Sequence, residues 1–322
     1  MDAHFTASRL ERDRNMESAL QEKTRRHYDK YHFIEGGSKR IAWWREYLSE
    51  FLPGQEIQDR LILDVGSSIG EISRGLLDRG ARLVCLDVSF QSLSRCRETN
   101  PEANSIQGTA LRLPFPNGSF DHAISIGVLH HTPDCRRGFR ELARVTAPGG
   151  TVLVFLYNYW NPYNVIYHAF KPVRALVPLD RVPRPALALL QPFVIAHLGQ
   201  KLDHEELRNL LGDKLWTPQA TFHSISEVRR WASEEGLVFV RSKKFFLGYA
   251  NVMQFKKAGE SGPFIRRKLI LACANCSFAP MQQRELQCVC PRCSLAYDVE
   301  NGIVKCPTQL SNREELAAAF HS

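Results

Sequence analysis

The stretch LILDVGSSIG, residues 61–70, constrains this chain more than any other. It opens as an apolar run of the kind that forms a strand buried on both faces. Asp64, Gly66 and Gly70 then break it into a turn ahead of a helical pattern over 71–79. Gly66 permits backbone angles closed to other residues and lets a ligand approach the main chain. The helix that follows points its unpaired N–H groups at the same place, so a phosphate or a nucleoside fits there.

A second apolar run, RLVCLDV at 82–88, places Asp87 at the carboxyl end of the next strand, about 20 residues beyond Gly66. Open parallel sheets bind ligands outside the carboxyl ends of their strands, and an acid at that distance from the glycine turn takes a ribose diol. A nicotinamide fingerprint wants G-x-G-x-x-G. Here Ser68 stands at the second glycine, and Asp64 adds an acid at the end of strand one.

Five motifs follow one another: DVGSSIG at 64–70, LDVS at 86–89, LPFPNGSFDHAIS at 113–125, IGVLHHTPD at 126–134 and RVTAPGG at 144–150. Together they resemble the class I S-adenosylmethionine-dependent methyltransferases, of the type 11 kind, over about 28–257. The resemblance implies a cofactor site of Asp64, Gly66, Ser67, Ser68, Gly70, Asp87, Val88, Thr109, Ala110 and Gly127. In it Asp64 and Gly66 face the methionine end, Asp87 takes the ribose hydroxyls and Val88 packs on adenine. Thr109 departs from the family, which often carries an acid there for the adenine amino group.

Strand and helix patterns alternate from Leu61, with strands expected near 61–65, 82–87, 104–107, 120–126 and 151–157, and two more at 237–243 and 249–255. The expected fold class is α/β, a doubly wound Rossmann-like seven-stranded sheet with a helical cap insertion and a small C-terminal zinc-ribbon domain. Its parts are a flexible N-terminal arm at 1–27, a methyltransferase domain at 28–257, a linker at 258–267 and the ribbon at 268–322. Seven prolines between 157 and 222 rule out one long helix and point to short helices capping the strand ends, where the family builds substrate specificity. The segment 28–51, aromatic at helical spacing, reads as a lid, making Tyr28, Tyr31 and His32 candidate substrate contacts beside Tyr157.

His130 and His131 follow strand four at the edge where the reactive methyl belongs, and either titrates near neutral pH. His131 is the preferred base, and His130 reads as a packed imidazole.

CANC at 273–276 and CPRC at 290–293 place Cys273, Cys276, Cys290 and Cys293 as two knuckles that close a tetrahedral structural zinc site with no open position. A redox pair or uncommitted thiols are the competing readings, and Cys288 is a spare. Residues 268–306 resemble the small zinc-ribbon activator subunit of tRNA, ribosomal and release-factor methyltransferases, here fused to the enzyme.

The formal charge is +8, and Arg241, Lys243, Lys244, Lys256, Lys257, Arg266, Arg267 and Lys268 crowd into one run. That run fits RNA or an anionic substrate, against the plainer reading of a solvated face. There is no leader pattern and no apolar run of spanning length, so the expectation is a cytoplasmic protein without stable membrane insertion. The functional expectation is methyl transfer from S-adenosylmethionine to a small metabolite, natural product or glycan precursor. Two alternatives stand beside it. ISIGVLHH at 124–131 resembles the tRNA wobble-uridine carboxymethyl-ester methyltransferases, and a non-catalytic cofactor-binding scaffold is the third reading.

Overall fold

The computed structural model describes residues 2–31, 47–189, 191–192, 201–245, 248–259, 266–284 and 286–307. Its centre is a mixed sheet of β1 (Leu61–Val65), β2 (Arg82–Asp87), β3 (Asn104–Gln107), β4 (Phe120–Ile126), β5 (Thr146–Tyr157), β6 (Leu237–Phe245) and β7 (Ala250–Lys257). The strand order β6-β7-β5-β4-β1-β2-β3 leaves β1 between β2 and β4, with β7 antiparallel to both β5 and β6. All five residues of β1 are buried, which is why its sequence is a continuous apolar run rather than an alternation.

Helices Glu71–Leu77, Phe90–Thr99, Cys135–Val145 and Ile225–Glu234 accompany the sheet. Ser89, Asp134 and Ser224 cap three of them by accepting backbone N–H groups of the first turn. Gly80 closes the first at φ +82°. β5 begins at Thr146, five residues before the expected start, because the turn glycines themselves join the strand.

The first 30 residues depart from the expected frayed arm: Asp2–Lys30 is one helix. Charges that read as solvating in the sequence pair along it, Arg25 with Glu22 and Asp29, and Arg26 with Glu22.

The cysteine module is not a separate body. β11 (Ile303–Lys305) pairs parallel with β3, matching Ile303, Val304 and Lys305 to Ser105, Ile106 and Gln107. β10 (Ala296–Glu300), β9 (Gln287–Val289) and β8 (Gln282–Arg284) carry the sheet on to eleven strands. Buried Met281, Leu295 and Tyr297 share one core with Val84, Leu86 and Ile106. A module with too little apolar area for its own core thus borrows the edge and the core of the larger sheet, and β3 is not left as an exposed edge.

Candidate active site

Where β1, β2 and β4 end, their turns and the cap enclose a cavity lined, among the described residues, by Gly66, Asp87, Ala110, Gly127, His131 and Tyr157 with their neighbours. Since β2 and β4 flank β1, Asp87 and the segment after β4 stand about 10 Å apart, two strand spacings.

The nucleoside side follows from the β1 turn. Gly66 holds φ +79°, and a Cβ there would lie 2.1 Å from Val128 Cγ2, so no other residue fits. Asp87 is pinned at both oxygens, Oδ2 accepting the Ser68 N–H at 2.9 Å and Oδ1 the Ser89 N–H at 2.8 Å. A carboxylate has about four lone-pair sites, so two remain for a diol. Burial raises its pKa, and the backbone N–H groups oppose that rise. Ser67 Oγ is buried and has no hydrogen-bond partner among the described residues. Gly66, Ser67, Ser68, Val88, Thr109, Ala110 and Gly127 line the cavity, and these residues fit an adenosyl cofactor. Thr109 Oγ1 accepts the Leu111 N–H at 3.1 Å, shaping the loop beside it.

Asp64 and Gly70 stand outside the lining. Asp64 Oδ2 accepts the Ser73 hydroxyl at 2.6 Å, tying the strand to the next helix, and burial pushes its carboxyl up to about 6. Gly70 takes φ +84°, and a Cβ there would meet Asn100 and Cys96, so the turn requires glycine.

The other side holds His131, buried, with Nδ1 2.8 Å from the Gln219 carbonyl oxygen. A carbonyl only accepts, so Nδ1 carries the proton and Nε2 keeps its lone pair. Among the described residues Nε2 has no hydrogen-bond partner, and it stands 3.9 Å from Asp213 Oδ1. Burial lowers the His131 pKa, with Asp213 working against the fall, so the ring is neutral at pH 7. His130 lies outside the lining with its ring 3.7 Å, centroid to centroid, from Tyr157, and among the described residues neither ring nitrogen has a hydrogen-bond partner.

Asp213 and Lys214 were not legible in the sequence. They sit on a π-helical turn, Gly212–Trp216, and line the cavity as a buried pair with Nζ 2.7 Å from Oδ2. Lys214 also donates to the Tyr157 hydroxyl at 3.1 Å, and the Tyr28 hydroxyl donates to Asp213 Oδ1 at 3.2 Å. Burial would raise the Asp213 pKa, but Lys214 and His131 outweigh it and hold it below the usual carboxylate value. Burial likewise works against the Lys214 charge, and Asp213 more than restores it.

Tyr28 and Tyr157 line the cavity, as do Gln21 and Thr24, two turns and one turn before Tyr28, which gave no sequence signal. Tyr31 does not: its hydroxyl donates to Asp180 at 2.6 Å. His32 lies outside the described residues.

The four knuckle cysteines bring their sulfurs within 4.8 Å of one another. Cys273 and Cys293 are 3.5 Å apart and Cys276 and Cys290 are 3.6 Å apart, near the edge of about 3.8 Å for a tetrahedral zinc–thiolate site. Cys288 is buried outside the group, its thiol pushed up by burial.

The basic run is largely consumed within the chain. Arg267 pairs with Asp121 at 3.0 Å, Arg241 donates to Gln254 at 2.8 Å, Lys243 pairs with Glu50, and Arg266 reaches Asp59 at 3.6 Å. Lys257 donates to the carbonyls of Ala143 and Glu235.

Residues 63–154 match the methyltransferase domain family model. The chain is 29% identical over 187 residues to the demethylmenaquinone methyltransferase of Renibacterium salmoninarum, covering 54% of this chain and 73% of that enzyme. It is 35% identical over 137 residues to the 2-methyl-6-phytyl-1,4-hydroquinone methyltransferase of Synechocystis, covering 41% of this chain and 43% of that one. Its fold resembles a chain from the complex between the Haloferax volcanii Trm112 methyltransferase activator and a methyltransferase, at TM-score 0.51 and 16% identity, covering 75% of this chain and all of that one. The glycine turn, the pinned Asp87 and these likenesses converge: the chain carries a class I S-adenosylmethionine-dependent methyltransferase domain.

Proposed function

We propose that the chain methylates a small molecule held in the cavity between Asp87 and the Asp213–Lys214 pair. The observation that carries this is His131 Nε2, buried and unbonded in the same cavity as the glycine turn. S-adenosylmethionine supplies an electrophilic methyl group on a sulfonium. Transfer to an acceptor atom is an in-line displacement, so the protein chiefly aligns the two partners and excludes water.

Asp87 holds the ribose, the backbone of Gly66, Ser67, Ser68 and Gly127 surrounds the methionine portion, and Val88, Thr109 and Ala110 flank adenine. Tyr28 and Tyr157 bound the acceptor. His131 Nε2 takes the acceptor's proton as its lone pair attacks, and the Lys214 ammonium steadies negative charge that develops on it. Small-metabolite names among the relatives support a small acceptor. The pairing of the basic run within the chain favours it over RNA.

Zinc held by Cys273, Cys276, Cys290 and Cys293 serves structure, since four thiolates leave it no open position. The proposed division is a methyltransferase unit at 28–257 with a cap at 157–222, and a ribbon at 268–322 that acts as a built-in counterpart of an activator subunit.

The test is incubation with methyl-labelled cofactor and separated small-molecule and RNA fractions. Label in the small-molecule fraction, lost in His131→Gln, is expected. Label confined to RNA would sink the proposal.

A further inference from the structure

The cap has two unlike faces. Inward, the helix Pro162–Ala169 anchors to the cavity wall through Tyr163, whose hydroxyl donates to the Lys214 carbonyl, and Tyr167, which donates to that of Thr217. Outward, Trp160 is 78% exposed, Val165 70%, Leu176 80% and Leu189 80%, with Ile166 beside them. Single exposed apolar residues are ordinary, but seven large ones between 160 and 189, Val173 and Val177 included, are a surface seeking a partner.

The charges say which partner. Between 157 and 189 the single acid is Asp180, and it is engaged by Lys30, Tyr31 and Arg208. Lys171, Arg181 and Arg184 are exposed in the same stretch of chain. Exposed tryptophan and leucine in a stretch rich in cations are the composition of a surface that lies in a lipid headgroup layer. A protein partner of matching shape would need acids opposite each cation, whereas an anionic bilayer supplies charge everywhere.

We propose that the outer face of the cap docks on an anionic phospholipid surface, its apolar side chains entering the headgroup layer while Lys171, Arg181 and Arg184 meet lipid phosphates. Among the described residues no helix is long and apolar enough to cross a membrane, so the attachment is peripheral and reversible. The docking does not depend on which acceptor is methylated.

The full chain is mixed with vesicles of phosphatidylglycerol or of phosphatidylcholine at low salt and sedimented. Binding to the first and weak binding to the second are expected, with the anionic binding falling as salt rises. Leu176→Ser with Leu189→Ser should lower partition about tenfold or more, as should Arg181→Glu with Arg184→Glu, while melting temperature and cofactor affinity hold. Bromine-labelled lipid should quench the wild-type emission more than that of Trp160→Phe. No binding to phosphatidylglycerol by the folded protein, or equal binding by the serine and wild-type forms, would overturn the proposal. So would a concentration-dependent dimer that the serine pair dissolves, because a second copy would then cover the face.

Discussion

The Lys214 ammonium lies 2.7 Å from the Asp213 carboxylate, and both are buried against the cavity that also holds His131. An ion pair in such a place costs desolvation on both sides, and its removal by halves leaves one charge unpaired. Lys214→Met should therefore destabilise the chain by about 3–5 kcal/mol. Lys214→Met with Asp213→Asn should cost much less than the sum of the single changes. Denaturant unfolding of the three variants measures the coupling, and additive losses would show that the pair does not act as a unit.

His131→Gln should lower kcat by about 10²–10⁴ while leaving cofactor affinity within a factor of about three. Burial holds the His131 pKa below its ordinary value, so the rate should be level at neutral pH and fall only on the acid side of 6.5. A kcat profile that falls with a midpoint above 7 would count against His131 as the base.

Asp87→Ala removes the acceptor for the ribose diol and frees the Ser68 N–H from its anchor. A loss of about 1.5–3 kcal/mol in cofactor binding is expected, read by titration calorimetry. Unchanged affinity would take Asp87 out of the cofactor site.

Asp64 offers a test with the opposite sign. Its folded pKa, raised to about 6 from 3.8, means that ionised Asp64 costs stability above pH 6 and that the cost disappears as pH falls from 6 toward 3.8. Asp64→Asn should hence melt at or above the wild-type temperature at pH 7.5 and lose that advantage near pH 4. Cofactor affinity should change little, because Asp64 faces Ser73 rather than the cavity.

Cys276→Ser should release the metal and lower the melting temperature of the whole chain, since β11 extends the sheet that carries Asp87. Cys288→Ser should keep one zinc per chain. Metal content with thermal melting decides both, and a Cys276→Ser protein that retains its zinc would overturn the ligand set.

Local physics sufficed for much of this protein. The apolar runs of β1 and β2, the positive φ required at Gly66 and the acid at the end of β2 follow from short stretches in which each residue's neighbours in sequence are also its neighbours in space. Two C-x-x-C knuckles carry the same kind of local signal. What tertiary structure alone decided depends on residues far apart in the chain. Asp213 and Lys214 look like an ordinary surface pair in sequence, and become a buried site only because the cap folds them over Tyr28 and Tyr157. Asp64 turned to Ser73 and Tyr31 to Asp180, because each found a hydrogen-bond partner that no spacing rule encodes. The basic run was spent on carbonyls and on acids such as Asp121, and the ribbon met β3, since a strand edge takes whatever segment the fold brings beside it.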